Sequence, residues 1–217
     1  KPSDQQLDER LRDLNAAIDR IENITNEKWM TSLNARKAAE LAFHDARRDR
    51  DAVVQMAQDT YEHLYGNKKY YSSAYKSNEH LRHWIESECR DRIFLDFACG
   101  NGAQAIAAAK AGARLALGFD ISPLSVANAR RDAHEAGVAG KTRFFQADAE
   151  NTLLPANSVD RIVCAGMLHH LDLSYAFPEL RRILAPGGRI FALEALDYNP
   201  AIKLYRKLTP QMRTEWE

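Results

Sequence analysis

Cysteine is scarce: the 217 residues hold three, Cys89, Cys99 and Cys164, with no C-x-x-C pair. An odd number of widely spaced cysteines excludes a disulfide framework and a zinc ribbon, and it fits a reducing compartment. Long apolar runs are missing as well. No stretch approaches the roughly 18 to 20 residues of a bilayer span, and Lys1 to Arg12 is polar where a secretion signal needs an apolar segment. A soluble, cytoplasmic protein with no membrane span is therefore expected. Neither sign of charge is in excess, with thirty Lys+Arg against thirty Asp+Glu. That balance removes the simplest electrostatic case for a nucleic-acid partner. Without a C-x-x-C pair, no metal is expected.

Apolar residues make up 45% and charged residues 28% of the chain, close to globular averages. The length allows one full domain and a sizeable extension. Leu7, Leu11, Leu14, Ile18 and Ile21 recur at spacings of four and three, which predicts one amphipathic helix. Two heptads fall short of a coiled coil, so the stripe is expected to pack on the rest of the chain, with a homodimer through the N-terminal helices as the alternative. A second helical pattern runs from Ser32 to about Leu64, with Leu41, Val53 and Met56 among its apolar positions, and its charges read as a solvated face. Gly66-Asn67 breaks it, and Tyr61, Tyr65, Tyr70, Tyr71 and Tyr75 crowd around the break. The opening Lys1 and the polar close Thr214 to Glu217 suggest a trimmed chain.

From Arg92 the texture changes to short apolar runs alternating with helical stretches, the mark of strand-helix units and a parallel sheet. Strands are expected at 93–98, 115–120, 143–147, 161–165 and 189–195, with helices starting near Gly102, Ser122, Ser174 and Pro200. Ser122-Pro123 reads as an N-cap followed by proline at the first helical position, and Pro186-Gly187-Gly188 as the turn into the fifth strand. The fold class expected is α/β: a doubly wound, mainly parallel Rossmann-like sheet with helices on both faces. Residues 1–90 form a helical N-terminal extension or lid and residues 91–217 the nucleotide-binding domain.

The first strand runs into Asp96-Phe97-Ala98-Cys99-Gly100-Asn101-Gly102 and at once into an Ala-rich helix. A helix N-terminus offers unpaired N–H groups, and glycines let a ligand approach the backbone. Gly100-x-Gly102-x-x-Ala105 with Asp120 at the end of the second strand also satisfies a dinucleotide fingerprint. Asp96 separates the alternatives, because an acid four residues before the first glycine repels a pyrophosphate and suits a ligand bearing an ammonium group.

At these residues the sequence resembles the class I S-adenosylmethionine-dependent methyltransferases, in particular the small-molecule enzymes of the type 11 group. Asp96 to Gly102 looks like their glycine-rich motif, and Gly118-Phe119-Asp120-Ile121-Ser122 like the segment whose acid binds the ribose. Gln146-Ala147-Asp148-Ala149-Glu150 resembles the segment that meets the adenine amine. Val159 to Leu171 and Leu180 to Gly188 resemble the fourth strand with its loop and the approach to the fifth. The resemblance implies S-adenosylmethionine as cofactor and S-adenosylhomocysteine as product. It places Asp96, Ala98, Cys99, Gly100, Gly102, Asp120, Ile121, Asp148, Ala149 and Ala165 around the cofactor. Cys99 and Cys164 read as small strand-end residues with no nucleophilic role. The family pattern continues into an antiparallel strand pair beyond the fifth unit, which is not expected within this sequence.

After the fourth strand the chain reads Ala165-Gly166-Met167-Leu168-His169-His170, without the Asn/Asp-Pro-Pro-aromatic segment of DNA and glutamine N-methyltransferases. A small-molecule acceptor and no nucleic acid are expected. Imidazole suits removal of a hydroxyl proton near neutral pH, which makes His170 and, less so, His169 the catalytic candidates. Tyr70 and Tyr71 are candidates to close over the cofactor with a ring face near the sulfonium. The alternatives are an NAD-linked oxidoreductase, whose Tyr-x-x-x-Lys spacing occurs only at Tyr65 to Lys69, ahead of the nucleotide half, and a non-catalytic nucleoside-binding or scaffold domain.

Overall fold

The computed structural model describes residues 4–50, 75–194, 203–204 and 207–208. Five strands, β1 (Ile93–Asp96), β2 (Leu115–Asp120), β3 (Thr142–Gln146), β4 (Val159–Ala165) and β5 (Leu184–Leu193), form one sheet in the order β3-β2-β1-β4-β5. Every pairing is parallel. The order runs outward from β1 through β2 to β3, then resumes on the other side with β4. A crevice opens at that switch, beyond the carboxyl ends of the strands.

Alternate residues of each strand face opposite sides, so one short apolar run feeds two cores. Ile93 and Leu95 of β1, Leu117 and Phe119 of β2 and Ile162 of β4 join Leu14, Ile18 and Ile21 of the helix Asp4–Glu22 and Leu180 and Ile183 of the helix Leu173–Ile183. Phe94, Ala116 and Val163 face the other way, onto Leu81 and Ile85 of the helix Tyr75–Glu88 and onto alanines of the helices Ala103–Lys110 and Pro123–Glu135. The fold is thus the doubly wound α/β arrangement expected. Each fully buried Leu or Ile contributes about 1.5 to 3 kcal/mol. Because Leu14, Ile18 and Ile21 are spent in the chain's own core, the alternative of a homodimer through that stripe loses its apolar surface.

Local signals explain most boundaries. The Ser122 hydroxyl accepts from the Ser125 N–H at 2.9 Å, and Pro123 opens its helix. Asp172, two residues before the expected Ser174, caps the helix Leu173–Ile183. The second helical pattern is interrupted. A short helix Asn26–Ser32 comes first, and Asn34, accepting from the Lys37 N–H at 2.9 Å, caps a new helix Ala35–Arg48. Its expected continuation to Leu64 lies outside the described residues, and so does nearly all of the helix expected near Pro200. The fifth strand starts five residues earlier than expected. Val159 pairs with Leu184 and Arg161 with Arg189, so Pro186-Gly187-Gly188 forms a bulge inside β5. Among the described residues β5 is an edge strand, which tolerates this because a missing proline N–H costs nothing on an unpaired side. Among the described residues no helix is long and apolar enough to cross a membrane.

Candidate cofactor and acceptor cleft

A cleft of about 200 Å³ opens over the carboxyl ends of β1 to β4, with the helix Ala35–Arg48 as its outer wall. The glycine loop forms its floor. Ala98, Gly100 and Gly102 all take positive φ, of 54°, 53° and 76°. For Ala98 this costs about 1 to 2 kcal/mol. Two hydrogen bonds to β2 hold the turn: the Cys99 N–H donates to the Phe119 carbonyl at 2.7 Å and the Gly100 N–H to Asp120 Oδ2 at 2.8 Å. Gly100 faces the cleft. Gly102 does not line it: a Cβ there would lie 2.5 Å from the Phe144 ring, so its part is to let the loop pack on the sheet.

Asp96 ends β1 beneath the loop, and its Oδ2 accepts from the Gln104 and Ala105 N–H groups, both at 3.2 Å. Gly102 has no side chain to cap the helix Ala103–Lys110, so Asp96 supplies the cap from across the turn. Burial pushes the Asp96 carboxyl up to about 7, against the pull of those two N–H donors. Asp120 ends β2 and organises two loops, accepting from Gly100 with Oδ2 and from the Ser122 N–H with Oδ1 at 3.0 Å. Asp148, just beyond β3, caps its own turn by accepting from the Glu150 N–H at 2.9 Å and also faces the cleft. Ala98, Cys99, Ile121, Ala149 and Ala165 line the remainder. Cys99 is a passive wall: burial raises its thiol pKa well above the ordinary value, leaving little thiolate.

The outer wall is where the structure departs most from the sequence reading. Lys37, Glu40, His44 and Arg48 recur at spacings of three, four and four, which puts them on one helix stripe. That stripe faces the cleft and not solvent, correcting the reading of these charges as a solvated face. Lys37 Nζ lies 2.5 Å from Asp148 Oδ2 and 2.7 Å from Glu150 Oε2, and Arg36 also pairs with Glu150. Burial works against the Lys37 charge, but Asp148 and Glu150 outweigh it and raise the pKa. Arg48 Nη1 reaches Ser125 Oγ at 2.6 Å and Asp120 Oδ2 at 3.3 Å, with its guanidinium over Gly100. The helical period could have flagged the stripe; nothing local could have named its partners.

The two histidines part company. His169 Nδ1 contacts Glu194 Oε2 at 2.8 Å, while Glu194 Oε1 accepts from the Met167 and Leu168 N–H groups, each at 2.8 Å. Glu194, just past β5, thereby pins the loop after β4 and takes up His169, which does not line the cleft. His170 does. Its Nδ1 lies 2.9 Å from Glu40 Oε2, and its carbonyl accepts from Arg36. His44 Nε2 approaches the same Glu40 oxygen at 3.6 Å. Burial lowers the His44 pKa, with Arg48 and His170 adding to that effect and Glu40 opposing it. Three groups of metal-ligating type thus meet where the sequence suggested no metal. Tyr70 and Tyr71 lie outside the described residues.

The donor and acceptor set fits S-adenosylmethionine. Carboxylates at three strand ends, Asp96, Asp120 and Asp148, line one cleft, a set that suits a ligand bearing an amine, a diol and a second amine, and glycine at position 100 leaves the backbone open. Residues 95–192 match the methyltransferase type 11 family, described as a methyltransferase domain. Through them the chain is similar to the class I S-adenosylmethionine-dependent methyltransferases.

Among curated proteins, the ribosomal protein L11 methyltransferase of Pasteurella multocida (strain Pm70) is 35% identical over 106 residues, 48% of this chain and 34% of that protein. Its counterpart in Haemophilus influenzae (strain PittEE) is 34% identical over the same length. The chain spans 34% of the length of these relatives. Among solved structures, the YcgJ protein from Bacillus subtilis superposes with a TM-score of 0.54 at 29% identity, covering 61% of this chain and 60% of that one. The PH0226 protein from Pyrococcus horikoshii OT3, at 21% identity, shares the fold with a TM-score of 0.56 over 70% of this chain and 72% of its own.

Proposed function

We propose that the chain catalyses methyl transfer from S-adenosylmethionine to the oxygen or nitrogen of a small-molecule acceptor in the cytoplasm. Residues 91–217 are the cofactor domain, and residues 1–90 form the helical cover that carries the acceptor wall. The observation that carries this is the alignment of Asp96, Asp120 and Asp148 along one cleft above the glycine loop. Calorimetric titration with S-adenosylhomocysteine, S-adenosylmethionine and NAD tests it. Binding of the first two without NAD is expected, and equal or tighter NAD binding would overturn it.

The bound cofactor supplies a methyl group on a sulfonium, open to in-line displacement. The chain's own part is to hold, orient and exclude water. Asp120 and Asp148 hold the nucleoside end, and Asp96 holds the amine end as its carboxylate ionises. For a hydroxyl acceptor the O–H bond must break as the O–C bond forms, while the electron pair of the S–C bond goes to sulfur. His170 faces the cleft and is the group that takes the proton, with Glu40 orienting its ring. His169, held by Glu194, positions the loop and moves no proton.

A small acceptor is favoured by the outer wall, which covers the cleft with long side chains from the helix Ala35–Arg48. The sequence Ala165-Gly166-Met167 after β4 also offers no Pro-Pro-aromatic cradle for a nucleic-acid amine. The curated relatives are named for ribosomal protein L11. An assay with labelled cofactor should therefore present a panel of small hydroxylated and amine compounds beside that protein. Transfer to the ribosomal protein alone would sink the small-molecule part and leave methyl transfer standing.

A further inference from the structure

Glu40 and His44 are four residues apart on one helix, a spacing that stacks both side chains on the same face. His170 reaches them from the short helical turn Leu168–His170 after β4. The pairs Glu40–His170 and Glu40–His44 are separated by 2.9 and 3.6 Å at the ligating atoms, and all three atoms lie within 4.8 Å of one another. Ligands on a four-coordinate zinc at about 2.0 to 2.1 Å sit roughly 3.3 Å apart, so the observed separations bracket that value. Glu40 is buried, and all three residues line the cleft. The fourth side of the cluster is therefore open to whatever occupies the cleft. Structural zinc sites close all four positions with protein, whereas reactive ones use three protein ligands and leave one open. Two imidazoles and one carboxylate favour a borderline transition ion over magnesium or calcium, which prefer all-oxygen shells.

We propose that Glu40, His44 and His170 bind a divalent transition-metal ion of the zinc class at the acceptor end of the cleft, and that the acceptor is a hydroxyl compound that enters the open coordination position. This deepens the methyl-transfer proposal and rests on it for the acceptor. An ion in that place draws the proton from an entering hydroxyl, which leaves to water, and aligns the oxygen that receives the methyl. In the ion-free protein His170 takes the proton itself. With the ion bound, its nitrogen is a ligand, and turnover no longer requires a free imidazole. The carbonyl of His170, held by Arg36, and the loop pinned by Glu194 keep the third ligand aimed at the helix.

The test uses the tag-free full chain stripped with a chelator and titrated calorimetrically with zinc, then with cobalt(II) followed by visible absorption. One equivalent of zinc is expected, with a cobalt spectrum of four- or five-coordinate nitrogen and oxygen ligation and no thiolate charge-transfer band. Glu40→Gln, His44→Ala and His170→Ala should each weaken zinc binding by more than about 100-fold, beyond the 10- to 100-fold typical of residues outside the ligand shell. His169→Ala should stay within about threefold of wild type. Absence of stoichiometric binding, a thiolate band, or unchanged affinity in both histidine ligand variants overturns the site. If Glu40→Gln does not fold, the cobalt spectrum of the wild type and the two histidine variants decide. A parallel titration with S-adenosylhomocysteine keeps the two proposals apart. Zinc bound without S-adenosylhomocysteine defeats methyl transfer and keeps the metal site, and the reverse defeats only the metal.

Discussion

The two walls of the cleft are built on different physics. Along the sheet rim, side chains fix backbone: Asp120 holds the Gly100 and Ser122 N–H groups, Asp96 caps the helix Ala103–Lys110, and Glu194 holds Met167 and Leu168. These are charge-assisted bonds to rigid donors, so the rim is set before any ligand arrives. Along the helix Ala35–Arg48, long side chains meet other side chains: Lys37 on Asp148, Arg48 on Asp120, Glu40 on His170. Such contacts shift by rotamer changes at small cost. The rim is therefore suited to hold an invariant ligand, and the helical wall to select and activate a second one. The wall also places two cations on rim carboxylates, Lys37 on Asp148 and Arg48 on Asp120.

The sharpest way to break this division is at the acceptor end. His170→Ala, assayed on a hydroxyl acceptor, should lower turnover by about 10² to 10⁴-fold while S-adenosylhomocysteine affinity stays near wild type. His169→Ala should cost far less and leave the pH profile of turnover unchanged. Near-full activity with the same profile in both variants would assign the histidines to packing.

Next in size is the rim. Asp120→Ala should weaken S-adenosylhomocysteine by about 1.5 to 3 kcal/mol, roughly 10- to 150-fold, because it removes a ligand acceptor and releases the Gly100 and Ser122 N–H groups together. An unchanged dissociation constant would remove Asp120 from the cofactor site.

Asp96 makes a pH-dependent prediction with two opposite signs. Its pKa is raised from the ordinary 3.8 to about 7 by burial. The folded, ligand-free chain therefore holds a proton that the unfolded chain gives up. The stabilisation from this group is complete below the unfolded value and is lost as pH rises through about 7. A ligand amine prefers the ionised form, so affinity should rise by about tenfold between pH 6 and pH 8, with a proton released on binding. Asp96→Asn should flatten both the melting-temperature and the affinity profile. A wild-type affinity that falls across this range would contradict the pairing of Asp96 with the amine.

The smallest expected effect comes from the wall. If Arg48 competes with the cofactor for Asp120, Arg48→Ala should tighten S-adenosylhomocysteine by about two- to fivefold, in line with the 0.2 to 1 kcal/mol of a partly exposed ion pair. Weaker binding would instead make Arg48 part of the cofactor's own shell.

What was legible in the sequence follows the same division. The five strands, the Ser122-Pro123 start and the turn from Asp96 to Gly102 could be read because each depends on neighbours within a few residues, whereas Asp148 was named only through the family resemblance. Proline, glycine and capping side chains fix dihedrals locally, and alternation fixes which strand residues are buried. The Pro186-Gly187-Gly188 segment misled because a turn and an edge-strand bulge use the same residues, and only pairing with β4 tells them apart.

The helical wall could not be read in this way. Its spacing predicts a stripe, but Lys37 meets Asp148 across 111 residues and Arg48 meets Asp120 across 72. The choice of His170 over His169 rests on Glu40 and Glu194, which reach the loop from a different helix and from the strand beside it. Local dihedral preferences thus determined the strands and the glycine turn of the rim from sequence alone. The docking of one helix over the strand ends, which depends on burial summed over the whole sheet face, decided which charges and which histidine face the cleft.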